Sequence, residues 1–426
     1  MNTGDRGRRN ETLPKKENED VRRIQDPLDP EMALLLPAND VESPELTICV
    51  PALNEELTIG DFVDWCHQGI RGCGVVGEIL IVDSSSDSTS EIAVQKGARV
   101  LKTPKRGLGR AYIDSLRFVR GKYLILGDCD CTYDFRELRP FVENFQQGAD
   151  FIMGSRFRGY IEPGAMPPLH RYLGTPVTTW ILNFMYSSHF SDIHCGMRGI
   201  TREAFTQMDL QSQSWEYASE MVLKSVHMEL KTAEIPIRFL KDRAGRLSHL
   251  KRGGWLSPWK AAWINLRAMF VFGPDFFLYR PGLILLSAGL IVVITLSAGP
   301  VRIGRITFSL YSMLLGQVML ILGLQCVYLG VIAKLLFDFT GRERGRWLRL
   351  FPYNRSVLIS AAMLAAGIAL FVPLIIDYFQ HGLTLPLVTS SSYLAIAGLS
   401  LMICAFMTFA FTLLLHATEV SMRKRR

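Results

Sequence analysis

Apolar positions fall in two different patterns along the chain. In the first, short apolar runs stop abruptly at polar clusters. Leu46-Thr47-Ile48-Cys49-Val50 closes at Pro51, Glu78-Ile79-Leu80-Ile81-Val82 at Asp83, and Tyr123-Leu124-Ile125-Leu126 at Gly127 and Asp128. Runs of this length bounded by turn-forming residues predict buried strands, and a helical pattern over 57–66 predicts the kind of crossover that a parallel α/β sheet needs. In the second pattern, the stretches 281–301, 306–333, 356–376 and 382–418 carry no Asp, Glu, Lys or Arg, the last being broken only by His416. Each exceeds the roughly 20 helical residues that cross a hydrocarbon core, and none has the polar face of a helix packed in a soluble core. Four membrane spans are predicted, near 281–299, 308–335, 356–376 and 393–415.

The averages over 426 residues, 49% hydrophobic and 20% charged, conceal this division. Four regions are expected: a flexible polar tail over 1–44, an α/β domain over 45–250, interfacial helices over 251–280 and a membrane domain over 281–426. The tail expectation rests on mixed charge and several prolines, with no apolar core of a signal peptide. Arg342, Arg344, Arg346, Arg349 and Arg355 follow the second span, and Arg423, Lys424, Arg425 and Arg426 end the chain, whereas 377–392 has no Lys or Arg. Basic residues stay on the cytoplasmic side, so the head and the C-terminus are expected there. A net charge of +7 suits an anionic membrane surface, and no nucleic-acid-binding module is recognisable, so no nucleic-acid partner is expected. The eight cysteines form no paired CxxC knuckles and are expected to be reduced thiols.

Ligands of open α/β sheets bind beyond the carboxyl ends of the strands. The polar residues there are Asn54 and Glu55, the cluster from Asp83 to Asp87, and Asp128 with Asp130. Two aspartates at spacing two after a buried strand can place carboxylates around one hard divalent cation, which binds oxygen ligands and substrate phosphates together. Taken alone, that spacing more often marks a solvated turn.

Six ordered stretches carry a resemblance: Val50-Pro51-Ala52-Leu53-Asn54-Glu55-Glu56, Ile81-Val82-Asp83-Ser84, Arg106-Gly107-Leu108-Gly109-Arg110-Ala111, Gly127-Asp128-Cys129-Asp130, Gly154-Ser155-Arg156, and Asp192-Ile193-His194-Cys195-Gly196-Met197-Arg198. Over about 46–248 the chain resembles the inverting glycosyltransferases of family 2, of the type that makes polyprenyl- or dolichol-phosphate sugars. The resemblance implies a GT-A catalytic domain, Rossmann-like with a mainly parallel sheet. It implies nucleotide binding by Pro51, Ala52, Asn54, Glu55, Asp83, Ser84, Arg106 and Gly107, with Asp83 reading the base. Asp128 and Asp130 would bind Mg²⁺ or Mn²⁺ with the donor diphosphate, and Arg156 would act with them on the reacting phosphates. Arg171, Thr175, Arg198 and Arg243 would serve the acceptor phosphate. Asp192, Glu216 and Glu220 would shape the sugar and acceptor pocket, although Asp192 and Arg198 could instead pair internally. Glu216 and Glu220 share a helix face that could equally meet solvent. Cys129 departs from the family's alanine between the two aspartates, and Thr132 with Tyr133 stands where some members have glutamine, so the donor sugar stays open.

The activity so implied is transfer of a hexose from a nucleotide sugar, UDP-glucose or GDP-mannose, to a polyprenyl phosphate at the cytoplasmic face of a prokaryotic inner membrane. An endoplasmic reticulum location satisfies the same physics. A phosphate acceptor is already ionised, so no catalytic histidine is expected, and positioning with charge neutralisation carries the reaction. Residues 169–190 and 255–279 combine aromatic, basic and apolar positions, as interfacial helices do. The spans would anchor the protein, and they could also form a homo-oligomer. Two other readings remain: a processive polysaccharide synthase, whose Gln-x-x-Arg-Trp motif is approached by Glu343-Arg344-Gly345-Arg346-Trp347, and a non-catalytic membrane scaffold.

Overall fold

The computed structural model of the chain describes residues 21–186, 188–243, 245, 263, 267, 273, 275–336, 338, 341–384 and 389–423. These fall into two compact units. The first holds the described residues up to 180 with 189–221 and 230–245, and the second holds 181–188, 222–229 and the described residues beyond 253.

The first unit is built on one sheet that has nine strands among the described residues: β1 (Arg22–Gln25), β2 (Ala33–Leu36), β3 (Leu46–Ala52), β4 (Gly77–Asp83), β5 (Arg99–Lys102), β6 (Tyr123–Leu126), β7 (Phe151–Ile161), β8 (Arg198–Thr201) and β9 (Thr232–Phe239). Their order is β1-β2-β5-β4-β3-β6-β8-β7-β9, and only β2 and β8 run against the rest. The mainly parallel α/β architecture expected of the head is therefore present. Ile48, Cys49, Val50, Leu80, Ile81, Leu124 and Ile125 have no exposed surface, which is why β3, β4 and β6 read as unbroken apolar runs. The flanking helices are α1 (Ile59–Cys73), α2 (Thr89–Gln95), α3 (Leu108–Ser115), α4 (Arg139–Gln146), α5 (Thr175–Tyr186), α6 (Arg202–Met208) and α7 (Tyr217–His227). Register brings Ala52, Asp83 and Lys102 abreast at the ends of β3, β4 and β5.

The polar tail expected over 1–44 is corrected in its described part. Residues 22–36 form the β1–β2 hairpin, which extends the sheet beyond β5. Met32, Leu34 and Leu36 are buried, and acidic residues of the segment are neutralised by the head: Asp26 pairs with Arg117, Asp29 and Glu31 with Arg106, and Asp40 with Arg99 and Arg120. A charged segment thus becomes sheet because its charges find partners.

The second unit contains α8 (Arg280–Leu296), α9 (Leu310–Leu336), α10 (Arg342–Leu350), α11 (Tyr353–Gln380) and α12 (Ser390–Arg423), with a small hairpin of β10 (Val301–Ile303) and β11 (Ile306–Phe308) between α8 and α9. Among the described residues, four helices are long and apolar enough to cross a membrane: Phe276–Leu296, Leu310–Leu336, Tyr353–Gln380 and Ser390–Ser421. They coincide with the four predicted spans. Small residues let them meet closely, as membrane helices require where no hydrophobic effect drives association. A Cβ on Gly289 of α8 would stand 2.3 Å from the Leu320 nitrogen of α9, and one on Gly398 of α12 would stand 2.6 Å from the Gly367 carbonyl of α11. Of the interfacial helix expected over 255–279, only Trp263, Arg267, Gly273 and 275–279 are described, so that expectation lies largely outside the described residues.

Candidate active site

The loop after β3 and the loop after β4 are stitched together at the carboxyl edge of the sheet. Asn54, with a positive φ of 53°, donates its backbone N–H to Ser85 Oγ at 2.6 Å and accepts from the Ser86 N–H at 3.0 Å. The Glu55 N–H donates to Thr89 Oγ1 at 2.9 Å, and the Ser84 N–H donates to the Ala52 carbonyl at 3.1 Å. Pro51 follows in β3, where its carbonyl accepts from the Cys129 thiol, so the β3 and β6 ends are tied as well. The expected nucleotide residues Pro51, Ala52, Asn54, Glu55 and Ser84 are thus one connected edge.

Asp83 lies at this edge but faces inward. It has no exposed surface; Oδ1 accepts from the Ser85 N–H, and Oδ2 accepts from the Ser90 hydroxyl and from Lys102 Nζ at 3.1 Å. A carboxylate so engaged holds the β4 loop and Lys102 in place, which does not fit the expected direct reading of a base. Lys102, with 36% of its side chain exposed, is the group the sequence reading missed here. Its signal was its place at the end of a short β-rich run ahead of Thr103 and Pro104.

Arg106 donates to Asp29 at 2.6 Å and to Glu31 at 2.5 Å, and these bonds hold its pKa above the ordinary guanidinium value. Gly107 and Gly109 serve a close backbone approach: a Cβ there would stand 2.2 Å from the Gln213 carbonyl and 2.1 Å from the Ser212 carbonyl. Glu220 fixes the same loop, accepting from the Gln211 and Ser212 N–H groups with no surface exposed. That is an internal bracket, and Glu220 does not line an open pocket. Glu216 Oε2 is buried with no hydrogen-bond partner among the described residues.

The end of β6 is different. Asp128 and Asp130 both keep part of their surface open. Asp130 Oδ1 accepts from the Thr132 N–H at 3.0 Å and from the Thr132 hydroxyl at 2.6 Å, which orients its carboxylate. Asp128 is close enough to Tyr112, Tyr133 and Tyr217 for its charge to act on all three phenols. Burial first, with that charge adding, pushes all three upward, Tyr217 to about 12. The Tyr133 hydroxyl accepts from the Gly196 N–H at 2.8 Å, and a Cβ on Gly196 would stand 2.7 Å from Asp128 Oδ2. Tyr112 and Tyr217, and the close approach of Gly196 to Asp128, were not singled out from the sequence, where Tyr133 was noted only for standing where some members have glutamine. Burial likewise pushes the Cys131 thiol up to about 12, and the charges of Asp130, Asp61, Arg243 and Glu55 that act on it show that the β3 loop and the β6 loop adjoin.

Arg156 and Asp192 form a buried two-bond ion pair. Nε donates to Oδ2 at 2.7 Å and Nη2 to Oδ1 at 2.8 Å, leaving Nη1 as the nitrogen not engaged by Asp192. Arg198 departs from expectation. It is 1% exposed, and its three guanidinium nitrogens donate to the Cys195, Ala218 and Ile193 carbonyls, so it braces the 192–198 loop and cannot present itself to a phosphate. Arg243 reaches back to the β3–α1 loop, donating to the Leu57 carbonyl at 2.7 Å and pairing with Asp61. It therefore sits against the β3–α1 loop and the start of α1. Arg171 lies in a π-helical turn, His170–Gly174, that leads into α5, where Thr175 is buried. His194 accepts from or donates to Thr178 Oγ1 at 2.8 Å, and burial pushes its pKa down to about 4, so the ring is neutral at physiological pH.

The chain is similar to several known proteins. The profile described as Glycosyl transferase family 2 matches residues 47–208, and the profile described as Glycosyltransferase family 2 C-terminal transmembrane region matches 332–419. The Low-salt glycan biosynthesis hexosyltransferase Agl6 of Haloferax volcanii is 35% identical over 306 residues, 72% of each chain. A dolichyl-phosphate hexose transferase of the same organism is 27% identical over 201 residues, 47% of this chain and 85% of the relative. Among solved structures, glucosyl-3-phosphoglycerate synthase from Mycobacterium tuberculosis is similar at 20% identity and a TM-score of 0.40, over 54% of this chain and 80% of that one.

Proposed function

The chain belongs to glycosyltransferase family 2 and is an integral membrane protein, and from that premise we propose that it moves a hexose from a nucleotide sugar to a polyprenyl phosphate, with inversion at the anomeric carbon. The observation that carries this reading is the partly open Asp128–Asp130 pair at the end of β6, in a chain that also has four spanning-length helices. A water-soluble donor and a bilayer-bound acceptor call for that combination. The dolichyl-phosphate hexose transferase among the relatives supports the choice of acceptor.

Hard carboxylate oxygens that keep surface open fit Mg²⁺ or Mn²⁺. Among the described residues no group of three or more His, Cys, Asp or Glu could hold a metal, so Asp128 and Asp130 would share the ion with phosphate oxygens of the donor. Such an ion neutralises charge on a departing diphosphate. The protein's own part is positioning. The stitched β3 and β4 loops, with Lys102 and Arg243, hold the nucleotide. Arg156, kept in place by Asp192, directs Nη1 toward the reacting phosphates, and Arg171 meets the acceptor. A phosphate oxygen of the lipid attacks the anomeric carbon as its bond to the nucleoside diphosphate breaks. His194, neutral and bonded to Thr178, supplies no proton transfer.

The placement of basic residues supports a cytoplasmic head and C-terminus. Arg342, Arg344, Arg346 and Arg349 lie between α9 and α11 and Arg355 in the first turn of α11, whereas the segment between α11 and α12 has no Lys or Arg. The Leu169, Tyr172, Leu173, Val177 and Trp180 side chains are exposed around the start of α5, as an interfacial helix needs. The stretch nearest to the polymer-synthase motif serves packing instead: Trp347 is buried and donates to Glu343 at 2.7 Å, while Arg344 pairs with Glu419 at 2.8 Å.

The test uses purified protein in detergent with Mg²⁺ or Mn²⁺, undecaprenyl or dolichyl phosphate, and a panel of radiolabelled nucleotide sugars. Label should enter the organic phase from one donor and fail to do so with Asp130→Ala. Folded protein that moves no label from any donor to either carrier would overturn the reading.

A further inference from the structure

Lys102 carries a hydrogen-bond donor that the protein itself leaves unused. Register sets Lys102 abreast of Asp83 on β4 and of Ala33 on β2, and the Thr103 N–H continues the ladder by donating to the Asp83 carbonyl at 3.0 Å. The ammonium leans over the end of β4, donating to Asp83 Oδ2 at 3.1 Å and to the Ser85 carbonyl at 3.3 Å. Ser85 is also the residue whose hydroxyl accepts from the Asn54 N–H, so Nζ lies on the stitched edge of β3 and β4. An ammonium has three N–H donors. Two are engaged, and the third has no partner among the described residues, although 36% of the side chain is exposed. Nearby acidic residues do not claim it: Asp29 and Glu31, from the turn that precedes β2, pair with Arg106.

A lysine near a nucleotide commonly meets phosphate, but the sheet places this one elsewhere. Leu126, Cys49 and Leu80 are abreast, so Asp128, two residues past Leu126, and Asp83, three past Leu80, stand at similar height on the carboxyl edge. What separates them is distance across the strands. β4 and β6 flank β3, so their ends are two strand spacings apart, about 10 Å. A phosphate held with a metal at Asp128 and Asp130 therefore lies beyond hydrogen-bond reach of Nζ. In a nucleoside diphosphate, the base lies past the ribose on the side away from the phosphates, and the edge of the base opposite the ribose lies furthest of all. With its diphosphate at the end of β6 and its length laid across β3, a bound nucleotide brings that far edge to the end of β4, where Nζ stands.

We propose that Lys102 selects the base of the sugar donor, its third N–H donating to the oxygen on the far edge, O4 of uracil or O6 of guanine; this rests on the nucleotide-sugar reading above. At that position uracil, like thymine, and guanine present an acceptor, whereas cytosine and adenine present an amino group. An ammonium can only donate, so an amino group meets it donor against donor. Asp83 then reads no base itself. It aims the lysine that does, which gives a fully enclosed carboxylate a part in recognition without contact.

The test measures binding of UDP, CDP, GDP and ADP, each with Mn²⁺, to the full chain in detergent by isothermal titration calorimetry. Wild type should bind the oxo base about tenfold more tightly than the amino base of the same size, UDP over CDP or GDP over ADP. Lys102→Met should bring that ratio to within about twofold, and Lys102→Arg, which still donates, should keep it. Because Lys102→Met leaves the buried Asp83 carboxylate without its cation, a second variant that joins Asp83→Asn to Lys102→Met removes both charges and should show the same narrowed ratio. Size-exclusion chromatography checks that each is folded. A lysine that only braced the loop would, when removed, weaken all four nucleotides alike. An unchanged ratio in the folded variants, or no preference for the oxo base in wild type, would overturn the proposal. A preference that follows Lys102 in protein that transfers no sugar to any carrier sinks the catalytic reading and leaves base selection standing; transfer with a ratio indifferent to Lys102 does the reverse.

Discussion

Two carboxylate clusters end neighbouring parts of one sheet, and they differ in how far they are enclosed. At the end of β4, Asp83 is fully enclosed, and both oxygens are engaged by Ser85, Ser90 and Lys102. At the end of β6, Asp128 and Asp130 stay partly open, one closely approached by Gly196 and the other oriented by Thr132. Both clusters follow a buried parallel strand, so place in the fold does not separate them. Burial does. An enclosed carboxylate shapes the protein, and one that keeps surface open can still meet a ligand.

The sharpest way to break this comparison is to neutralise each side in turn. Asp130→Asn should lower the transfer rate by about a thousandfold with little change in melting temperature, because it removes charge needed only when the diphosphate departs. A rate within about tenfold of wild type, in initial-rate assays, would count against the β6 edge as the reacting centre. Asp192→Ala should cost about 3–5 kcal/mol of stability, because it strands the Arg156 guanidinium in a buried setting, and thermal melting in detergent would show it. Asp83→Asn should cost about 1–3 kcal/mol through its lost bonds and raise KM for the donor several-fold, with kcat largely kept. A loss of kcat as large as that of Asp130→Asn would erase the distinction between the two edges.

His194 adds a dependence on pH. Its folded pKa of about 4 lies below the ordinary 6.5, so above 6.5 the ring is neutral in both folded and unfolded chains and contributes no slope. As pH falls from 6.5 toward 4, the unfolded chain takes up a proton that the folded chain refuses, and stability declines. His194→Gln should flatten that part of a melting-temperature profile, and an unchanged profile would remove His194 as its source. The smallest effect is expected from Arg243→Ala, whose exposed pair with Asp61 should contribute less than about 1 kcal/mol, leaving a modest rise in donor KM.

The strands β3, β4 and β6 and the four spans were legible because a run's length and its lack of charge report burial directly. The β1–β2 hairpin was not, because its acidic residues are neutralised by Arg106 and Arg117, far along the chain, and only the short run Ala33-Leu34-Leu35-Leu36 hinted at a strand. The Asp128–Asp130 pair was legible from its place after β6. The engagement of Asp83 was not, since its partner Lys102 arrives through the pairing of β4 with β5. Arg198 reads like any other arginine until the Ile193, Cys195 and Ala218 carbonyls close around it. Sequence position brought the charged residues to the right edge of the sheet, and their partners, which position does not reveal, decided their roles.

The most direct test of this division is Mn²⁺ binding followed by electron paramagnetic resonance, with and without nucleoside diphosphates, in wild type, Asp130→Asn and Asp83→Asn. The account predicts diphosphate-dependent Mn²⁺ binding in wild type, its loss in Asp130→Asn and its survival in Asp83→Asn. Binding that persists in Asp130→Asn, or that vanishes in a folded Asp83→Asn, would contradict the assignment of the β6 edge as the metal and diphosphate site.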